Sequence, residues 1–332
     1  MRKLSKNNLK KYRSKSKKYR SKSKKYRSKK YKFRAKNDGM EKSDEKKDEL
    51  NSKKGDDELS LSGKGDDELS PSGKGEHDCK DIENKFNYVL TNSSIKHLYL
   101  GDSFIKIFSG CTNNKTMLIL SFPGKTASGL SKEKSEIRTN LLKNEILENL
   151  ECLILHFGSV DIHFSYFHKL SNLDDTTAEE EIIKSNDDFV KYNDNYISGI
   201  VENYVSFINE IKKKKSELKI FVLIPYYSPV EDENMLDNLQ RYIREKGRKP
   251  LSAYSNKIQQ KLLSFNNRKS LVDLFDKKMK NKFTDDDSVN IISINDQIIG
   301  ISRQYLLDDK TDIHLNNKVS NIYKEMLEKC GL

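Results

Sequence analysis

The sequence predicts an α/β fold, a three-layer, doubly wound and mainly parallel sheet, behind a disordered N-terminal tail. Two observations predict the folded part. Short apolar runs recur along its length, and between them lie longer polar segments with helical spacing. Strands buried on both faces read as continuous apolar runs, and parallel neighbours need helical crossovers, so this alternation points to a covered parallel sheet. A third observation predicts the tail: residues 1–35 hold 18 Lys or Arg and no acid.

Taken in order, residues 1–35 are a basic low-complexity segment. Within residues 9–34 a seven-residue unit runs KKYRSKS, KKYRSKS, KKYRSKK. Tyr12, Tyr19 and Tyr26 occupy a single heptad position, so there is no apolar seam for a coiled coil. Dense like charge opposes compaction and suits attachment to a nucleic acid or another polyanion, with the tyrosines free to stack. Nuclear targeting is equally compatible with such a run. Residues 36–81 form a mixed-charge repeat linker, with GDDELSLSGK from Gly55 and GDDELSPSGK from Gly65. Asp56, Asp57 and Glu58 lack the alternating ligand spacing of a calcium loop.

The folded part is expected over residues 82–332. Its strands are predicted at 95–100 (IKHLYL), 116–122 (TMLILSF), 151–157 (ECLILHF), 219–224 (KIFVLI) and 270–275 (SLVDLF). A helix is predicted over 132–149, where Ile137, Leu141, Leu142 and Ile146 lie on one face, with Leu150 just beyond. Another is predicted over 197–211, on the stripe Ile197, Ile200, Val201, Tyr204, Val205, Ile208 and Ile211. Two more are expected near 253–265 and 316–329.

The charge balance sorts the two parts. The chain has 62 Lys and Arg, 50 acids and a net charge of +12. Removing the tail's 18 bases leaves 44 against 50 acids, a net of −6. The basicity therefore belongs to the tail, and the folded part has no nucleic-acid signature. The four cysteines, Cys79, Cys111, Cys152 and Cys330, are scattered without a CxxC pair. They indicate neither a zinc cage nor a disulfide framework, and they fit an intracellular, reducing compartment, cytoplasm or nucleus. No apolar run approaches the length of a membrane span, and the first residues have no apolar leader segment. Nothing calls for a cofactor or a metal.

In a doubly wound sheet, ligands bind beyond the carboxyl ends of the strands. The residues that follow the first four predicted strands are Gly101-Asp102-Ser103, Pro123-Gly124-Lys125-Thr126, Gly158-Ser159-Val160-Asp161-Ile162-His163 and Pro225-Tyr226-Tyr227. Small and polar residues thus collect on one edge. Ser103 could instead cap a helix, and Asp161 could cap the helix that follows it. His97, His156 and His168 lie in or beside apolar segments and read as structural. A phosphate loop at Gly124-Lys125-Thr126 would need a glycine where Ile119 stands.

GDSFIKIF at 101–108 is similar to the first block of the SGNH (GDSL) hydrolases, and TDIHLNN at 311–317 to their last. The resemblance covers about residues 90–330. It implies a flavodoxin-like hydrolase fold with Ser103 as nucleophile, His314 as base and Asp312 as its orienting carboxylate. Asp309 is the other candidate for that last role. It also implies an oxyanion hole made by the backbone N–H groups of Ser103 and Gly124. Asp102, Gly158, Asp161 and His163 are expected to line the site. The implied substrate is a small-molecule or glycan ester, an O-acyl group on a carbohydrate among them. Two positions depart from the family pattern. Val160 stands where the family places an Asn that donates to the oxyanion, and Thr311 stands three residues before His314, where it places the Asp. The alternative is therefore a catalytically degraded SGNH-like binding module whose tail carries a polyanion.

Overall fold

In the computed structural model the described residues are 75–111, 115–171, 185–242 and 256–332. The basic tail and most of the repeat linker lie outside them. Five strands form one sheet: β1 (His97–Gly101), β2 (Met117–Ser121), β3 (Cys152–His156), β4 (Lys219–Leu223) and β5 (Val289–Ile292). Their order is β2-β1-β3-β4-β5, and every pairing is parallel. This is the doubly wound architecture that the alternating pattern predicts. Every residue of β3 is buried, whereas β2, on an edge, is mostly half-buried.

The chain passes from β1 outward to β2, then returns past β1 to β3 and continues to β5. The order reverses between β1 and β3, and a crevice opens there at the carboxyl ends. Right-handed crossovers put the connections made in opposite directions on opposite faces. On one face the helix Asn186–Lys214 packs against Phe265–Lys282 and Ala127–Leu130. On the other, the 3₁₀ helix Ser103–Cys111 packs against the last helix, Ser320–Lys329, with Phe108 and Tyr323 rings 5.1–5.4 Å from their aromatic neighbours.

Two predicted elements and one boundary come out differently. Residues 270–275 are not a strand but part of the helix Phe265–Lys282. The buried set Leu271, Val272, Phe275 and Met279 recurs at three- to four-residue spacing, which six residues read alone do not display. The fifth strand is VNII, four residues long and too short to stand out. The helix predicted over 132–149 is two helices, Glu136–Leu141 and Asn144–Asn149, broken where Lys143 takes an extended conformation. The helix Gly75–Thr91 runs across position 82 and sends Ile82, Phe86 and Val89 into the core. Among the described residues no helix is long and apolar enough to cross a membrane.

Candidate active site

The site is built at the crevice between β1 and β3. β1 delivers the chain to Asp102, whose carboxylate accepts the Phe104 N–H at 2.9 Å and so caps the 3₁₀ helix. The cap is Asp102 and not Ser103, which leaves the Ser103 hydroxyl free to face the crevice. The other Asp102 oxygen accepts the Val160 N–H at 3.4 Å, and its backbone carbonyl accepts the Ser121 hydroxyl at 3.1 Å. One residue thus ties together the ends of β1, β2 and β3. Burial pushes its carboxyl well above the usual range, against the pull of its two N–H donors.

Asp161 makes a second tie. It does not cap the helix that follows it. Its oxygens accept the Ala127 N–H at 2.7 Å, the Ser128 N–H at 3.3 Å and the Ser128 hydroxyl at 2.6 Å. The loop after β3 therefore holds the start of the helix that follows the Gly124 turn. Burial raises this carboxyl too, with the Ser128 and Ala127 hydrogen bonds opposing it.

The far side of the crevice carries His314. Its Nε2 lies 2.9 Å from Ser103 Oγ, and its Nδ1 lies 2.8 Å from Asp312 Oδ1. The same carboxylate oxygen accepts the His314 backbone N–H at 3.0 Å. A carboxylate against Nδ1 fixes the proton there, so Nε2 is left to accept the Ser103 hydroxyl proton. Asp309 accepts the Thr311 N–H and hydroxyl at 2.8 and 2.9 Å, closing the turn before Asp312. Asp312 reaches the ring although it stands one residue nearer than in the SGNH pattern that the sequence resembles.

The loop that carries His314 is held from several sides. Buried Tyr226, after β4, donates its hydroxyl to the Ile313 carbonyl at 2.9 Å and accepts the Leu315 N–H at 3.1 Å. Its two bonds fall on the residues immediately before and after His314. Asn238 donates to the Thr311 carbonyl at 2.9 Å, and Asn316 donates to the Tyr305 carbonyl at 2.6 Å. The Phe104 ring lies 4.5 Å from the His314 ring at 30°, and Tyr226 meets Phe104 edge-on at 5.6 Å. A tyrosine after β4 was visible in the sequence, but its bond partners come from 87 and 89 residues away and leave no local signal.

A cavity of about 490 Å³ opens beside Ser103 and His314. Its apolar wall is Phe104, Ile107, Pro123, Val160, Phe164 and Leu315, and Gly124 lines it with φ of +78°. Among the described residues, neither the Ser103 N–H nor the Gly124 N–H has an acceptor within the protein. Asp102, Gly158, Asp161 and His163 do not line the cavity, contrary to expectation. The two carboxylates are consumed in the ties beneath it. Gly158 has φ of +104°, and a Cβ there would meet Phe275 Cζ at 3.0 Å, so it serves a tight turn against the core. His163 is fully buried against Phe104 and Tyr226, at 5.8 and 6.2 Å. Burial drives its pKa down to about 3, so the ring is neutral and packs as an aromatic.

The solved structures to which this chain is similar include lipases. A lipase, Lip_vut3, from a goat rumen metagenome is 15% identical, over 71% of this chain and 97% of that one, with a TM-score of 0.43. An extracellular lipase from Streptomyces rimosus is 11% identical over 71% and 99%, with a TM-score of 0.41. A phospholipase A1 from Streptomyces albidoflavus NA297 is 11% identical over 71% and 99%, with a TM-score of 0.42. No family model and no curated protein matches. The functional reading therefore rests on the site's own geometry.

Proposed function

We propose that the domain is a divergent hydrolase of the SGNH type that cleaves an ester through Ser103. The observation that carries this reading is the relay Ser103 Oγ–His314 Nε2 at 2.9 Å and His314 Nδ1–Asp312 at 2.8 Å, set at the mouth of an apolar cavity. A serine hydroxyl is a weak nucleophile until a base takes its proton, and neutral imidazole does this near pH 7. Asp312 holds the tautomer and balances the imidazolium that forms. Attack on the ester carbonyl yields a tetrahedral oxyanion, met by the open N–H groups of Ser103 and Gly124. Collapse expels the alcohol, protonated by His314. Water, activated by the same ring, then releases the acid from Ser103.

The alternative reading, a binding module that retains the site without turnover, is favoured by Val160 alone, since Val cannot supply the third oxyanion donor. One experiment separates the two. A fluorophosphonate probe is expected to label the wild-type protein and not Ser103→Ala. Ser103→Ala and His314→Ala are each expected to lower hydrolysis of activated aryl esters by roughly 10³-fold or more. A protein that is never labelled, and whose Ser103→Ala variant matches wild type on such esters, is the binding module.

A further inference from the structure

Ser103 begins a 3₁₀ helix, and that geometry decides what else faces the substrate. Three residues make one 3₁₀ turn, so side chains at i and i+3 eclipse one another. Ser103, Lys106 and Ser109 therefore form one row, and Phe104 and Ile107 the next. All five line the cavity. Lys106 stands one turn, about 6 Å along the axis, from the nucleophile. It is exposed, and among the described residues it has no ion-pair or hydrogen-bond partner. Among the described residues no carboxylate lines the cavity.

The rest of the lining is equally selective. A sugar needs many polar partners, yet beyond Ser103 and His314 the only polar side chains that line this cavity among the described residues are Lys106, Ser109, Asn317 and Tyr226. The Tyr226 hydroxyl is already spent on Ile313 and Leu315. Val160, where the family pattern has a polar donor, is 3% exposed and extends the apolar wall toward Phe164. We infer that the Ser103 site takes an ester of an extended aliphatic acyl chain whose alcohol side bears a negative charge, held by Lys106. The chain lies along Ile107, Val160 and Phe164, and the anion sits one 3₁₀ turn from the scissile bond. This rests on the hydrolase reading above and excludes an acetylated glycan as the preferred substrate.

The test uses the full chain and two matched series of nitrophenyl esters, acetyl through octanoyl. One series is neutral, and the other carries a carboxylate on the leaving ring. In both, kcat/KM is expected to rise about threefold to fourfold per methylene over the shorter chains, as each added CH₂ leaves water. The preference for the charged over the neutral series is expected to fall about fivefold in Lys106→Gln, the worth of one part-exposed ion pair, and to persist in Lys106→Arg. Comparing the ratio between variants cancels the intrinsic difference between the leaving groups. The inference is overturned if acetyl esters are the best substrates, or if Lys106→Gln and wild type show the same charge preference. Fluorophosphonate labelling of Ser103 is measured in parallel. Labelling with either flat result sinks the substrate inference alone, and no labelling sinks the hydrolase reading with it.

Discussion

At the scale of single residues, Tyr226 is the position where a small change tests the most. Tyr226→Phe keeps the ring against Phe104 and deletes the hydroxyl that joins Ile313 to Leu315. A buried Leu315 N–H is then left unpaired, at about 1–3 kcal/mol. We expect a lower melting temperature, faster amide exchange at Leu315, and a reduced kcat with little change in KM. An unchanged kcat would mean that the His314 loop holds itself. Val160→Asn is the complementary test. An amide there can supply the missing donor, but it breaks the apolar wall. Activity on acetyl esters should not fall, while the rise with chain length should flatten, with thermal unfolding followed alongside to separate chemistry from folding. The sequence singled out Ser103, His314 and Asp312, and the structure brings these three within hydrogen-bonding reach. It could not assign Asp102 and Asp161, because their partners Val160, Ala127 and Ser128 lie on other strand-end loops.

At the scale of elements, the strand ends carry buried titratable groups whose signs oppose. His156, the last residue of β3, and His163, just beyond, are fully buried, with pKa values driven down to about 3 by burial. Unfolded, each takes a proton near pH 6.5. Between pH 6.5 and 3 the unfolded chain binds more protons, so each ring makes stability fall with falling pH, by about 1.4 kcal/mol per unit. Asp102 and Asp161 have raised pKa values, so their contribution runs the other way: it is full below the unfolded carboxyl value and lost as pH rises through the folded one. His156→Phe should thus make stability less sensitive to acid by about 1.4 kcal/mol per pH unit. Denaturant unfolding at pH 4.5 and 6 checks this, and an unchanged difference would show that His156 is protonated in the fold. Element type was legible where a run was long or fully buried, as in β1, β3 and β4. It failed at 270–275, where a helical face and a short strand share the same residue types, and at β5, where four residues give no pattern.

At the scale of the whole molecule, charge divides the chain more sharply than any motif. The basic repeats lie outside the described residues, and residues 82–332 carry no net charge by composition, with 35 Lys and Arg against 35 Asp and Glu. Binding to a generic DNA duplex is therefore expected to reside in residues 1–80 and to weaken steeply with salt, since Lys and Arg on phosphates release condensed counterions. Removing residues 1–80 should abolish that binding. Binding undiminished by the truncation would place the anion surface on the folded domain.

Ser103 and His314 are 211 residues apart in the chain. On a ribosome adding about 5–20 residues per second, the serine emerges roughly 10–40 s before the histidine exists. Throughout that interval it is an ordinary alcohol. On the hydrolase reading, reactivity needs the C-terminal loop in place on Tyr226 and Asn238. On the hydrolase reading proposed above, a chain interrupted anywhere in those 211 residues carries Ser103 without His314, so unfinished copies have no esterase activity.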